Sequence, residues 1–149
     1  MIHIKVQTED FDVGAEIAAL TAGRTDVGGI GCFVGTVRDN GASITGMTLE
    51  HYPGMTERAI TRIAEQALER WPLMGCTVIH RVGPLQPGEN IVLVIAVSAH
   101  RQAALDATAF LIDWLKTKAP FWKREDLVGG GGAWVDAREE DDAAASRWG

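Results

Sequence analysis

The chain has 149 residues, 46% of them apolar and 23% charged, with a formal net charge of -6. That length suits one domain over 1–149, and the acidic balance argues against a nucleic-acid surface, where phosphates need many basic partners. No apolar run approaches the roughly 20 residues that cross a bilayer, and "MIHIKVQTED" lacks the pattern of a signal peptide, so the expected location is cytoplasmic.

In chain order, "IHIKV" alternates like a half-buried strand. "FDVGAEIAALTAG" reads as a short helix capped by Asp12 and stopped near Gly23. "VGGIGCFVGTVR" is apolar and β-rich, and its glycines mark a bulge or a close approach by another backbone or a ligand. "DNG" at 39–41 signals a hairpin turn before the strand "ITGMTLEHY". The helix "MTERAITRIAEQALERW" repeats Met55, Ala59, Ile63, Ala67 and Trp71 on one face, beside Ile60, Ala64 and Leu68. "CTVIHRVG" and "NIVLVIAVSA" are two more strands around the turn-rich "PLQPGE". "HRQAALDATAFLIDWLKTKA" is the second long helix, stopped by Pro120. "FWKRE", a glycine loop at 129–132, a short strand "AWVDA" and a charged tail over about 137–149 follow; the tail reads as a surface helix or a frayed end. The expected architecture is α+β, with two main helices on a mainly antiparallel sheet and extra short strands. Cys32 and Cys76 both fall in strand-like segments, which predicts buried structural thiols. The four histidines lack ligand spacing, so no metal is expected.

Three places carry candidate chemistry. At "SAHRQ" a strand ends, Ser98 can cap, and a helix begins near His100. Free N–H groups and the dipole make that helix start a seat for an anion, with His100 and Arg101 as further donors; a plain solvated helix start fits equally. Arg38 ends a glycine-bearing strand, where it is either a phosphate fork or an exposed arginine. Three of the four lysines (Lys116, Lys118 and Lys123) lie in "KTKAPFWKRE". Pro120 would let Lys123 fold back beside Lys116, with Phe121 and Trp122 as walls. Two such amines in a partly dry pocket give a tuned base or nucleophile; a solvated cationic corner is the bland alternative. His51, His80 and Arg81 read as packing or pairing residues. His100 and Lys116 are 16 positions apart on one helix, or roughly 24 Å. Either they are separate features or one site draws them from two subunits.

"FVGTVR", "LEHYPGM", "HRVGPL", "SAHR" and "LKTKAPFWKRE" occur here in the order seen in the catalytic subunits of molybdopterin synthase, and the chain resembles that MoaE family from about Gly31 to Trp148. The resemblance implies an α/β-hammerhead-like fold and a sulfurtransferase that turns cyclic pyranopterin monophosphate into molybdopterin by installing its dithiolene. It implies a ubiquitin-like small subunit with a C-terminal Gly-Gly thiocarboxylate as sulfur donor, a homodimer within a heterotetramer, and no cofactor. Lys116 and Lys123 match the family's catalytic lysines. Phe33, Thr36, Val37, Arg38, His100, Arg101, Arg124, Glu125 and Arg138 match its substrate-binding positions, and Ile112 stands where some relatives have methionine. The rival readings are a non-enzymatic adaptor for a ubiquitin-like tail and an anion-sensing module.

Overall fold

The computed structural model describes residues 1–135 and 139–148. Strand β1 (Ile2–Gln7) leads into helix α1 (Val13–Thr21), capped by Asp12, whose carboxylate accepts the Ala15 N–H at 3.0 Å. There follow β2 (Gly29–Thr36), β3 (Ile44–His51), α2 (Met55–Arg70), β4 (Leu73–Arg81), β5 (Gly83–Leu85) and β6 (Asn90–Ser98). Helix α3 (Arg101–Thr117), β7 (Phe121–Leu127), β8 (Gly132–Val135) and α4 (Glu139–Ser146) complete the order.

The strands form two four-stranded sheets, β1-β4-β6-β2 and β5-β3-β7-β8. Every pairing is antiparallel except β1 with β4. The fold is therefore α+β and mainly antiparallel, with its strands divided between two sheets. Helices α2 and α3 cover one face of the first sheet, where Ile60, Ala64 and Leu111 meet Cys76, Val78 and Val94. Helix α1 packs on the other face, over Ile79, Leu93, Ile95 and Val97. The buried stripe of α2 is Thr56, Ile60, Ile63, Ala64 and Ala67; Met55, at its first residue, is exposed.

Two sequence expectations are corrected. The turn at 39–41 exists, with Asn40 and Gly41 at φ 49° and 68° and the Gly41 N–H donating to the Asp39 carboxylate at 3.1 Å. It does not close a hairpin: β2 pairs with β6, whereas β3 pairs with β5 and β7. A turn reverses the chain, but the faces that need burial choose the partner strand. The second correction concerns the thiols. Cys76 is buried, and burial pushes its thiol up to about 11, but Cys32 is exposed. Strand β2 is the outer strand of its sheet, and the period of two sends Ile30, Cys32 and Val34 to one open face.

The glycines of β2 serve close approach. A Cβ at Gly29 would sit 2.9 Å from the Arg101 Cα, and one at Gly31 2.5 Å from the Ala104 carbonyl oxygen. Without side chains the strand backbone lies directly against α3. The order of these contacts makes β2 and α3 run side by side in the same direction. The tail is a helix, as one of its two readings had it, but it is docked: Trp148 stands edge-on to Trp71 and Phe110, with centroids 5.6 Å from each, and its Nε1–H donates to Asp113 at 2.7 Å.

Candidate active site

Helix α3 carries Lys116 in its last turn and ends at Thr117, three residues before Pro120. Proline has no N–H to continue the helical ladder, and the chain passes into β7. That strand pairs with β3 in the register Phe121–His51, Lys123–Leu49 and Glu125–Met47. Strand alternation then sets the faces: Phe121, Lys123 and Glu125 on one side, Trp122, Arg124 and Asp126 on the other.

The first side closes a cavity of about 510 Å3. The C-terminal end of β2 and the residues after it supply Thr36 and Arg38, β3 supplies Met47 and Leu49, β4 supplies His80, and α3 supplies Lys116. Lys116 and Lys123 thus face one cavity, as the sequence suggested, but the pairing of β7 with β3 is what delivers Lys123 there. Trp122 is not a wall of it. Its ring lies T-shaped to Tyr52 at 4.3 Å, on the opposite face of β7. The lining is also less uniformly cationic than expected, because Glu125 and Asp141 share it. A second cavity, about 480 Å3 and lined by Asp39, Pro87 and Gly88 among others, meets the first at Arg38 and Asn40. Arg38 therefore stands between two openings, and its planar fork suits a phosphate in either.

The remaining candidates are placed differently. Val37 is 3% exposed, and its N–H and C=O are bonded to Glu89 and Gly88. Phe33 is exposed on β2, outside the cavity lining. Arg124 points outward, 4.0 Å from Asp126. Arg138 lies outside the described residues. His100 is the N-cap of α3 and Arg101 its first residue, both exposed. Ser98 assists that start only weakly, accepting the His100 N–H at 3.4 Å while its own hydroxyl donates to the Pro72 carbonyl at 3.0 Å. One copy keeps this end of α3 roughly 24 Å from Lys116.

His80 belongs to the cavity although the sequence reading assigned it to packing. It is 7% exposed and stacks on Phe121, with ring centroids 3.9 Å apart and planes 19° apart. Burial pushes its imidazole down to about 4, against the Arg81 carbonyl bond that favours the cation; the charges of Lys116 and His51 add to the lowering. The available signal was its place two residues after the core residue Val78 on β4.

Fold and cavity together define an α+β protein whose cleft offers two amines and a guanidinium to an anionic ligand. A family model described as "MoaE protein" matches residues 6–118. The chain is 58% identical to the "Molybdopterin synthase catalytic subunit" of Mesorhizobium japonicum over 97% of its own length and 92% of the relative's. Among solved structures, the "Molybdopterin biosynthesis MoaE protein" of Burkholderia ambifaria aligns with TM-score 0.84 and 50% identity, covering 99% of this chain and 98% of the other. A chain from a complex of subunits 1 and 2 of molybdopterin-converting factor from Helicobacter pylori aligns with TM-score 0.70, covering 93% of this chain and 90% of the other; at 20% identity it shows the fold alone. The chain belongs to the MoaE family. Its activity is that of the family's catalytic subunits, the sulfur transfer that forms the dithiolene of molybdopterin.

Proposed function

We propose that the cavity between α3 and β7 is where that transfer occurs, with Lys116 and Lys123 as the catalytic amines. The observation that carries the reading is that two lysines from different elements, with Arg38, line one cavity. The sulfur donor is the C-terminal thiocarboxylate of a ubiquitin-like small subunit, and the acceptor is cyclic pyranopterin monophosphate. The thiocarboxylate sulfur attacks a side-chain carbon of the pterin and forms a carbon–sulfur bond, while the carbon–oxygen bond from that carbon to the cyclic phosphate breaks and the phosphate oxygen takes the electron pair. Water, directly or after transfer of the acyl group to the Lys116 amine, then attacks the acyl carbon. The acyl–sulfur bond breaks, the partner leaves as its carboxylate and sulfur stays on the pterin as a thiolate. A second loaded partner repeats the sequence at the neighbouring carbon, where oxygen leaves as water. Lys116 stabilises the oxyanion on the acyl carbon or accepts the acyl group. Lys123 orients the tail and assists proton transfer, and Arg38 holds the phosphate. Such an enzyme works in the cytoplasm.

The acting form is a homodimer, and the outer position of β2 supports a geometry for it. One end of β2 lies on Arg101 at the start of α3, and the other reaches Thr36 at the cavity. Eight residues of strand span about 26 Å, close to the ~24 Å of helix between His100 and Lys116. Two copies joined antiparallel along β2 would carry the His100 and Arg101 of each to the Thr36 and Arg38 of the other. Each cavity then gains the anion seat that its own chain holds out of reach.

The deciding experiment replaces Lys116 by alanine and supplies loaded partner and precursor to the folded variant. Loss of dithiolene formation by about 100-fold or more is expected. Undiminished product would overturn the assignment. A wild-type protein that binds the tail yet forms no product would establish the adaptor instead.

A further inference from the structure

The cavity holds a group that the two-lysine reading leaves unused. Along β4 the core face runs Cys76, Val78, His80, so the imidazole lies where the first sheet gives way to the second. Its Nδ1 lies 2.8 Å from the Arg81 carbonyl oxygen. A carbonyl oxygen only accepts, so Nδ1 carries the hydrogen and the neutral ring keeps its lone pair on Nε2. Stacking on Phe121 fixes the ring plane. A flip would surrender the Arg81 bond, and an unmade bond of this kind in a buried place is expensive. The ring thus has one orientation, with an acceptor nitrogen, in a cavity whose strongest donors are the ammonium groups of Lys116 and Lys123.

We propose that His80 is a positioning residue whose Nε2 accepts a hydrogen bond from the Lys116 ammonium and so turns its remaining N–H groups towards the oxyanion that forms on the acyl carbon. An ammonium has three N–H donors, so this bond leaves two for the oxyanion and for other partners. Burial keeps the imidazole neutral at working pH. It therefore takes a hydrogen bond without adding a third cation beside Lys116 and Lys123. The inference rests on the site reading above, in which Lys116 acts on the acyl group.

The test compares His80→Asn, His80→Gln and Lys116→Ala with loaded partner and precursor. Asparagine can keep the donor to the Arg81 carbonyl but lacks an acceptor at the Nε2 position, whereas glutamine places an oxygen there. His80→Asn should lose about 100-fold in kcat with KM for the precursor nearly unchanged, and His80→Gln should recover most of that loss. Equal losses in both variants, or undiminished kcat in both, would overturn the proposal. Full activity in Lys116→Ala would overturn the site reading and this inference with it. An inactive Lys116→Ala beside a fully active His80→Asn would overturn this inference alone. Nitrogen NMR of the wild-type protein adds a measurement that needs no buried substitution at His80. It should show Nδ1 protonated and an Nε2 resonance that moves when Lys116 is replaced. An Nε2–H tautomer would overturn the proposal.

Discussion

His80 shows how one buried side chain links the site to the stability of the fold. Its ordinary value of 6.5 is lowered to about 4 in the folded chain, mainly by burial. Between those two values the unfolded chain binds the extra proton, so folding stability is intact above about pH 6.5 and falls as the pH drops towards 4. The loss is on the order of 3 kcal/mol. Urea midpoints measured at pH 7 and pH 4.5 should show a clear loss in the wild type and a smaller one in His80→Gln. An equal loss in both would remove His80 as the source. Single residues were unevenly legible in the sequence. Lys116 and Lys123 stood out because three of four lysines fall in one segment. His80 did not, because a histidine inside an apolar strand has the same pattern whether it fills a core or lines a cavity. Cys32 was misjudged for a related reason: an apolar stretch does not reveal that its strand lies at the rim of a sheet, where one face stays wet.

At the scale of elements, helices were easier to read than strand partners. The 3.6-residue period and Pro120 outlined α2 and α3, because a helix satisfies its backbone within its own segment. A strand satisfies its backbone on a neighbour that local sequence does not name. The pairing of β3 with β7, over seventy residues away in sequence, was therefore hidden, and with it the reason Lys123 faces the cavity. The last helix makes the same point. Its charge suggested a loose tail, yet Trp148 sits among Trp71, Phe110 and Asp113. Trp148→Ala removes two edge-on ring contacts and one hydrogen bond, and should cost about 2 kcal/mol. Denaturant unfolding would measure this; a change within experimental error would mean that the helix is not docked in solution.

The whole molecule poses a problem of distance. The sequence indicated that His100 and Lys116 are too far apart for one small ligand, and the structure leaves them at opposite ends of α3. What the sequence did not reveal is that β2 runs alongside that helix with an outer edge that no strand among the described residues pairs with, because the adjacency arises from glycines whose role depends on a helix seventy residues away. If cavities are shared between copies, mixing Lys116→Ala with Arg101→Ala should restore activity. A mixed dimer then holds one cavity with both residues intact, and random re-pairing should return about one quarter of wild-type turnover. Equilibrated mixtures assayed with loaded partner and precursor decide this, and no recovery would place both residues in one chain's site.

If cavities are shared between two copies, the two ends of α3 also bear on inheritance. A gene copy altered at only one end would leave each mixed dimer with one working cavity, so a cell carrying both copies would tolerate it. A copy altered at Lys116 and Arg101 together would spoil its own cavity and withhold its arginine from the other. Such an allele would be dominant, silencing every normal chain it met, although neither change alone would behave that way.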